Sequence, residues 1–331
     1  MARESQLVEK IARALSSGKR GTSRLRLGIG DDAAVLSPAG DTEWVLSCDA
    51  FLEHVHFHAK THPPDSVGYK ALVRASSDLA AMGATPRFFL LTLALPAGRT
   101  GSWLDAFLLG MARASRELGI TIIGGDTTRS RSVFVSITVL GEIAPGRALT
   151  RSGARPGDII YVSGKLGRAQ LGLELVLRGH ARDRQLRALV QPHLYPKIRV
   201  GLGSWLAWRR IDSSAMDLSD GLSTDLGRLC TASQVGAKIY ASKVPSVSIP
   251  SAAERKLGQH KLDPLQLALH AGEDYELLFT VPAHEAKKLS RAPGAASLTA
   301  IGEITRSRQL LLVEPNAHAT PLKSEGWDPF R

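Results

Sequence analysis

Cysteine is nearly missing from this chain: 331 residues hold two, Cys48 and Cys230. Two thiols so far apart give neither a disulfide framework nor the spacing of a structural zinc site, so a reducing cytoplasm is the expected setting. No apolar stretch approaches the ~20 residues needed to span a bilayer, so no membrane partner is expected. The opening MARESQLVEKIARAL lacks an apolar signal-peptide core followed by a small-residue cleavage site. Aromatics make up only 5% of the residues, and no aromatic–basic stacking motif occurs. A nucleic-acid-binding reading therefore rests on the net charge of +11 alone, which by itself speaks to solubility and steering. The densest basic run, Lys19 to Arg26, reads as a solvated loop, a guard for an anionic substrate, or a nucleic-acid contact. With 44% hydrophobic and 22% charged residues, the length suits a soluble globular protein of two domains.

Against that basic background, acid is concentrated. Nine carboxylates sit in six short clusters: Gly30-Asp31-Asp32, Ser47-Cys48-Asp49, Ser77-Asp78, Gly124-Gly125-Asp126, Asp217-Leu218-Ser219-Asp220-Gly221 and Gly272-Glu273-Asp274. Most follow an apolar run, which predicts strand ends or the turns just after them. Gathered carboxylates raise one another's pKa unless a cation neutralises them. Hard oxygen ligands in this number suit Mg2+, which bridges protein carboxylates to substrate phosphates. The pattern points to a multi-magnesium phosphoryl-transfer site.

Each cluster alone also has a plainer reading. Gly28-Ile29-Gly30-Asp31-Asp32 makes a tight surface turn, or a turn in which one acid binds metal and the other serves structure. Ser219 or Asp220 makes an N-cap for a helix starting at Leu222, or faces an anion beside that helix's amides. Gly124-Gly125-Asp126 is a hairpin turn or a phosphate-and-metal contact. Ser163-Gly164-Lys165-Leu166-Gly167 lacks the phosphate-loop spacing. His54, His56 and His58 alternate as along a strand. No cysteine supports zinc there, and a strand edge with one histidine touching substrate is expected. Arg147 and Arg151 flank Leu149-Thr150, where guanidinium forks suit phosphate oxygens or sit solvated in a linker.

Periodicity predicts helices over 5–15, 66–82 (with Asp78 inside and Gly83 as stop), 102–118, 168–177 and 222–233. The 102–118 stripe is Trp103, Phe107, Met111, Ala114 and Leu118, closed by Gly119. Strands are expected at 44–48, 87–95, 120–123, 133–140, 158–163, 275–281, 298–303 and 309–313. The interleaving gives an α+β (mixed α/β) fold. A turn-rich connection places a boundary near 148, dividing the chain into 1–148 and 149–331.

Taken together and in this order, the clusters resemble the thiamine-monophosphate kinases, of the superfamily of aminoimidazole ribonucleotide synthetase and selenophosphate synthetase. The resemblance runs from Gly28 to Trp327. It is carried by Gly28-Ile29-Gly30-Asp31-Asp32-Ala33, Ser77-Asp78-Leu79-Ala80-Ala81-Met82-Gly83-Ala84 and Gly124-Gly125-Asp126-Thr127-Thr128. Leu149-Thr150-Arg151-Ser152-Gly153-Ala154, Met216-Asp217-Leu218-Ser219-Asp220-Gly221-Leu222 and Gly272-Glu273-Asp274-Tyr275-Glu276-Leu277 complete it. The resemblance implies the two-domain aminoimidazole ribonucleotide synthetase-like fold, with an N-terminal ATP- and Mg-binding domain that forms the interface of a homodimer. It implies transfer of the γ-phosphoryl of ATP to thiamine monophosphate, assisted by several Mg2+ ions. Asp32, Ser47, Cys48, Asp49, Asp78, Asp126, Asp217 and Asp220 match the family's magnesium positions, and Asp126, Asp217 and Asp220 carry the catalytic role. Gly125, Asp126, Arg151 and Ser219 match nucleotide contacts; His56, Glu273 and Trp327 match the thiamine side. Cys48 departs from the family, which usually has Thr there; a thiol is a poor magnesium ligand. Selenophosphate synthetase is disfavoured because residues 1–30 hold no Cys, and aminoimidazole ribonucleotide synthetase by the blocks around His56 and Glu273.

Overall fold

The computed structural model describes residues 25–27, 31–37 and 40–330. The helix expected over 5–15, residues 19–24 of the basic loop and Gly28-Ile29-Gly30 lie outside the described residues. Six strands form the first sheet: β1 (Leu25–Leu27), β2 (Ala34–Leu36), β3 (Glu43–Leu52), β4 (Thr85–Leu95), β5 (Thr121–Arg129) and β6 (Phe134–Ile143). Their spatial order is β1-β2-β3-β6-β4-β5. Pairing is antiparallel except between β4 and β5. Alternation in β6 buries Val135, Ile137 and Val139 and leaves Ser136 and Thr138 half-buried on the other face.

Helices α1 (Pro64–Ala81) and α2 (Ser102–Leu118) cover the buried face. Leu72 and Leu79 of α1 are fully buried, each worth about 1.5–3 kcal/mol relative to exposure. The two helices cross closely at paired glycines. A Cβ on Gly68 would lie 1.9 Å from the Phe107 carbonyl oxygen, and one on Gly110 would lie 1.8 Å from that of Asp65. α2 covers the expected residues and ends in the left-handed Gly119.

The second sheet holds β7 (Ile159–Ser163), β8 (Ser214–Asp217), β9 (Gly236–Tyr240), β10 (Leu277–Val281), β11 (Leu298–Thr305), β12 (Leu310–Val313) and β13 (Ala319–Pro321). Its order is β13-β12-β9-β11-β7-β10-β8. Around it stand α3 (Arg168–Leu177), α4 (Arg187–Leu194), α5 (Val200–Arg209), α6 (Leu222–Ser233), α7 (Ser251–Leu257) and α8 (Pro264–His270). The fold is mixed α and β, as expected. Leu202, Leu206, Ala215, Leu277 and Phe279 join the same apolar core as Leu72 and Val135, so the two sheets share one core. Asp217, at the end of β8, is thereby carried against α1.

Three local readings need correction. The strand expected at 44–48 runs on to Leu52, because ten residues of β3 pair in register with β6; Asp49 is inside it. Gly124-Gly125-Asp126 is no turn but the middle of β5, paired with Leu90, Leu91 and Thr92. A Cβ on Gly125 would lie 1.8 Å from the Leu91 carbonyl oxygen, so this glycine serves a close strand approach. His54, His56 and His58 do not share a strand face. The chain turns after Leu52, whose carbonyl accepts from the amides of Val55 and His56, and His54 has φ 73°.

Candidate active site

Three acids from distant parts of the chain converge. Asp32 precedes β2, Asp78 lies on α1 and Asp217 ends β8; their carboxylate oxygens lie within 4.8 Å of one another. Asp32 and Asp217 are buried and Asp78 half-buried. Local chemistry fixes each of them. Asp31 accepts the amides of Asp32 at 3.0 Å and of Arg151 at 3.1 Å, so this acid serves structure and orients its neighbour. Arg151 donates through Nε (3.0 Å) and a terminal nitrogen (2.5 Å) to Asp32 Oδ1. Ser77 Oγ donates to Asp217 Oδ2 at 2.6 Å, and Ser47 Oγ donates to Asp78.

Electrostatics makes the trio costly as a set of anions. Burial, then Asp32, pushes Asp217 up to about 7. Burial, then Asp217, Asp49 and Asp32, drives Asp78 well above the carboxylate range. Burial raises Asp32 despite Arg151. Asp32 Oδ2 is itself buried and accepts no hydrogen bond from the described residues. An orphaned buried oxygen amid three repelling carboxylates fits a hard divalent cation such as Mg2+.

The other expected site residues group around this trio in different ways. Asp49 pairs with Arg74 of α1 at 3.0 Å. Cys48 points to the opposite face of β3, where Sγ lies 3.5 Å from Ser136 Oγ and 3.4 Å from Thr138 Oγ1; the thiol faces away from Ser47 and the trio. Asp220 is held by Arg228 at 2.5 Å. The N-cap reading fails: Gly221 occupies that position, and Asp225 within the first turn of α6 accepts the amides of Asp220 and Gly221. Gly125 and Asp126 lie on the exposed edge strand β5. Their row crosses β4 and β6 before reaching β3, about 14 Å at ordinary strand spacing. They do not join the trio within this chain.

A second group assembles beside the first. The Ser219 carbonyl accepts the Glu273 amide at 2.8 Å, and the Asp220 carbonyl accepts the Trp327 amide at 2.9 Å. This ties the thiamine-side candidates Glu273 and Trp327 to the acid-bearing 217–221 loop. His56 Nδ1 accepts the Leu52 amide at 3.0 Å and its ring stacks on Phe51. Burial, then Arg74, lowers His56 to about 4, so it is neutral at pH 7. Trp327 is half exposed.

Sequence reasoning missed Lys70 and Arg74. With Asp78 they form a polar line along α1 at helical spacing, and that periodicity was the available signal. Lys70 Nζ lies 2.7 Å from Glu273 Oε2, and Arg74 meets Asp49.

Comparison with known proteins shows the family and the fold. The family described as AIR synthase related protein, N-terminal domain, matches residues 30–143, and its C-terminal domain matches 155–313. Thiamine-monophosphate kinase of Escherichia coli K12 is 36% identical over 97% of both chains, and that of Bacillus subtilis 32% identical over 93% of this chain and 95% of its own. Among solved structures, AaThiL complexed with AMPPCP and TMP superposes with a TM-score of 0.84 at 30% identity, covering 98% of this chain and 96% of that one. A crystal structure of thiamine monophosphate kinase from Aquifex aeolicus gives 0.77 at 30% identity, with 93% and 98% covered. The chain belongs to the thiamine-monophosphate kinase family, on the two-domain AIR synthase related fold.

Proposed function

We propose that this protein moves the γ-phosphoryl of ATP onto the phosphate of thiamine monophosphate, giving thiamine diphosphate, by direct in-line transfer. The observation that carries the reading is the convergence of Asp32, Asp78 and Asp217, with one buried oxygen lacking a donor. These three would hold Mg2+, with Ser47, Asp49, Asp126 and Asp220 as further candidates. Bound there, Mg2+ supplies neutralising charge between two anionic substrates.

The protein's own groups have little proton chemistry to do. A phosphate monoester has its second pKa near about 6, so the acceptor is already ionised at neutral pH. Positioning is then the main task. Arg151, already bridging to Asp32, has further guanidinium N–H groups for nucleotide phosphates. Ser219 and Gly125 are the remaining nucleotide candidates. On the acceptor side, the Glu273 carboxylate suits the cationic thiazolium and the N–H groups of the pyrimidine. The Trp327 face suits their ring systems. Neutral His56 adds no repulsion toward a cation.

We further propose a homodimer and a division of the chain at 148/149. The family matches fall on either side of that division. The dimer is supported by β5, an exposed edge strand carrying Ile122 and Ile123, each about half exposed. Such an edge invites pairing with another chain. Asp126 on that edge could join an acid trio only from a second copy. No helix among the described residues is long and apolar enough to cross a membrane, and action in the cytoplasm is part of this proposal.

The activity is tested by the acceptor dependence of ADP release in the presence of Mg2+. Thiamine monophosphate should accelerate release strongly and unphosphorylated thiamine should not. Equal release with both, or with neither, would overturn the assignment.

A further inference from the structure

The transfer chemistry leaves one buried assembly unexplained. Lys70 of α1 is 3% exposed in its side chain, and its Nζ reaches Glu273 Oε2 at 2.7 Å and His193 Nδ1 at 3.2 Å. His193, on α4, is buried, with Nδ1 also 3.3 Å from Glu273 Oε2. Its Nε2 lies 2.9 Å from Nε2 of buried His62. His62 Nδ1 in turn lies 3.1 Å from the His58 carbonyl and 3.2 Å from the His58 amide. Burial leads in lowering both histidines, so the rings are neutral.

His62 Nδ1 also lies 3.0 Å from Thr61 Oγ1, which can donate or accept there, and a proton chain through the two rings can run in either direction. In one, Lys70 donates to His193 Nδ1, His193 Nε2–H to His62, and His62 Nδ1–H to the His58 carbonyl. In the other, the His58 amide donates to His62, His62 to His193, and His193 Nδ1–H to Glu273. In both, Lys70 donates to Glu273, which stays a carboxylate. An unpaired buried ammonium is expensive, so the pair is mutually required. Glu273 also has φ 66°, a left-handed backbone unfavourable for a residue with a Cβ, held by the hydrogen bond its amide donates to the Ser219 carbonyl. Both side-chain contacts fall on Oε2, and the side chain is 24% exposed. Oε1 is thus left for a ligand.

Resting on the proposed activity, we propose that Lys70 and His193, backed by His62, are positioning residues for Glu273. They fix Oε2 and the charge, so that Oε1 meets the amino N–H groups of the pyrimidine of thiamine monophosphate while the negative charge favours its cationic thiazolium. Lys70 and His62 come from the first half of the chain, and His193 and Glu273 from the second. The acceptor-side carboxylate is therefore set by contacts between the two halves.

The test is steady-state kinetics on Lys70→Met, His193→Gln, Glu273→Gln and the Lys70→Met/Glu273→Gln double variant, varying each substrate in turn. Removing a donor from a charged group should raise KM for thiamine monophosphate by about tenfold or more in Lys70→Met. KM for ATP should stay within about twofold of wild type. The double variant should be no worse than Glu273→Gln alone, since Lys70 acts through Glu273. His193→Gln keeps an amide near His62 but withdraws from Lys70, so it should raise the same KM and spare that for ATP. This variant decides the matter should Lys70→Met fail to fold. Parallel rises in both KM values, or full additivity in the double variant, would overturn the positioning role. A wild type inactive toward thiamine monophosphate would overturn the activity first, and is read before any variant.

Discussion

Replacing Asp217 by asparagine should stabilise the metal-free protein while removing its response to Mg2+. Asparagine keeps the shape and an oxygen to accept from Ser77 Oγ, which lies 2.6 Å from the carboxylate. It removes one negative charge from a buried trio. The magnitude follows from the carboxyl's displacement from 3.8 to about 7, caused first by burial and then by Asp32. A folded-state pKa raised above the unfolded one means the folded protein binds more protons, so stability falls as pH rises from about 4 to about 7 and is level above. At pH 8.5 the ionised Asp217 costs the fold at most about 4 kcal/mol, and at pH 5.5 about 2 kcal/mol, at 1.36 kcal/mol per pH unit. Asp217→Asn should recover this cost, giving a melting temperature several degrees above wild type in EDTA at pH 8.5 and a smaller gain at pH 5.5. Mg2+ should raise the wild-type melting temperature, more at pH 8.5 than at pH 5.5 because protons compete for the oxygens. It should leave Asp217→Asn nearly unmoved. Scanning calorimetry with EDTA or Mg2+ at the two pH values measures all of this. A metal-free variant less stable than wild type at pH 8.5, or one stabilised by Mg2+ as much as wild type, would refute the reasoning.

Two further outcomes follow from the geometry. Cys48→Thr should leave the Mg2+ titration unchanged or slightly tighter, because the thiol faces Ser136 and Thr138 across the sheet from Ser47; a large loss of Mg2+ affinity by calorimetry would give the sulfur a role. Asp126→Asn and Asp217→Asn homodimers should each be inactive, yet subunits mixed by unfolding and refolding should regain about a quarter of wild-type activity, as one intact site in half of the dimers provides. No recovery on mixing would place Asp126 in the same chain's site.

Much of the frame was legible because it is written in local periodicity. The stripe from Trp103 to Leu118 with Gly119 beyond it marks α2 at both ends, and Asp78 could be set inside α1. The helices over 187–194 and 200–209 were missed; the first contains Pro192 and the second two glycines, which dilute a helical signal. The turn reading of Gly124-Gly125 used the right residue type for the wrong purpose, since Gly125 admits the Leu91 carbonyl within a strand. The acid clusters were visible one by one, but only the shared core, carrying β8 against α1, brings Asp217 to Asp78 and Asp32. The polar line on α1 marks Lys70 but not what it meets: its partners Glu273 and His193 lie more than a hundred residues away in sequence, and nothing local marks His193.

The central claim is tested most directly by incubating wild type and Asp217→Asn with ATP, Mg2+ and thiamine monophosphate and separating the products by chromatography. The expected result is thiamine diphosphate in equal amount to ADP with wild type, abolished by EDTA and absent with Asp217→Asn despite its intact fold. ADP without thiamine diphosphate, or full activity in Asp217→Asn, would contradict the account.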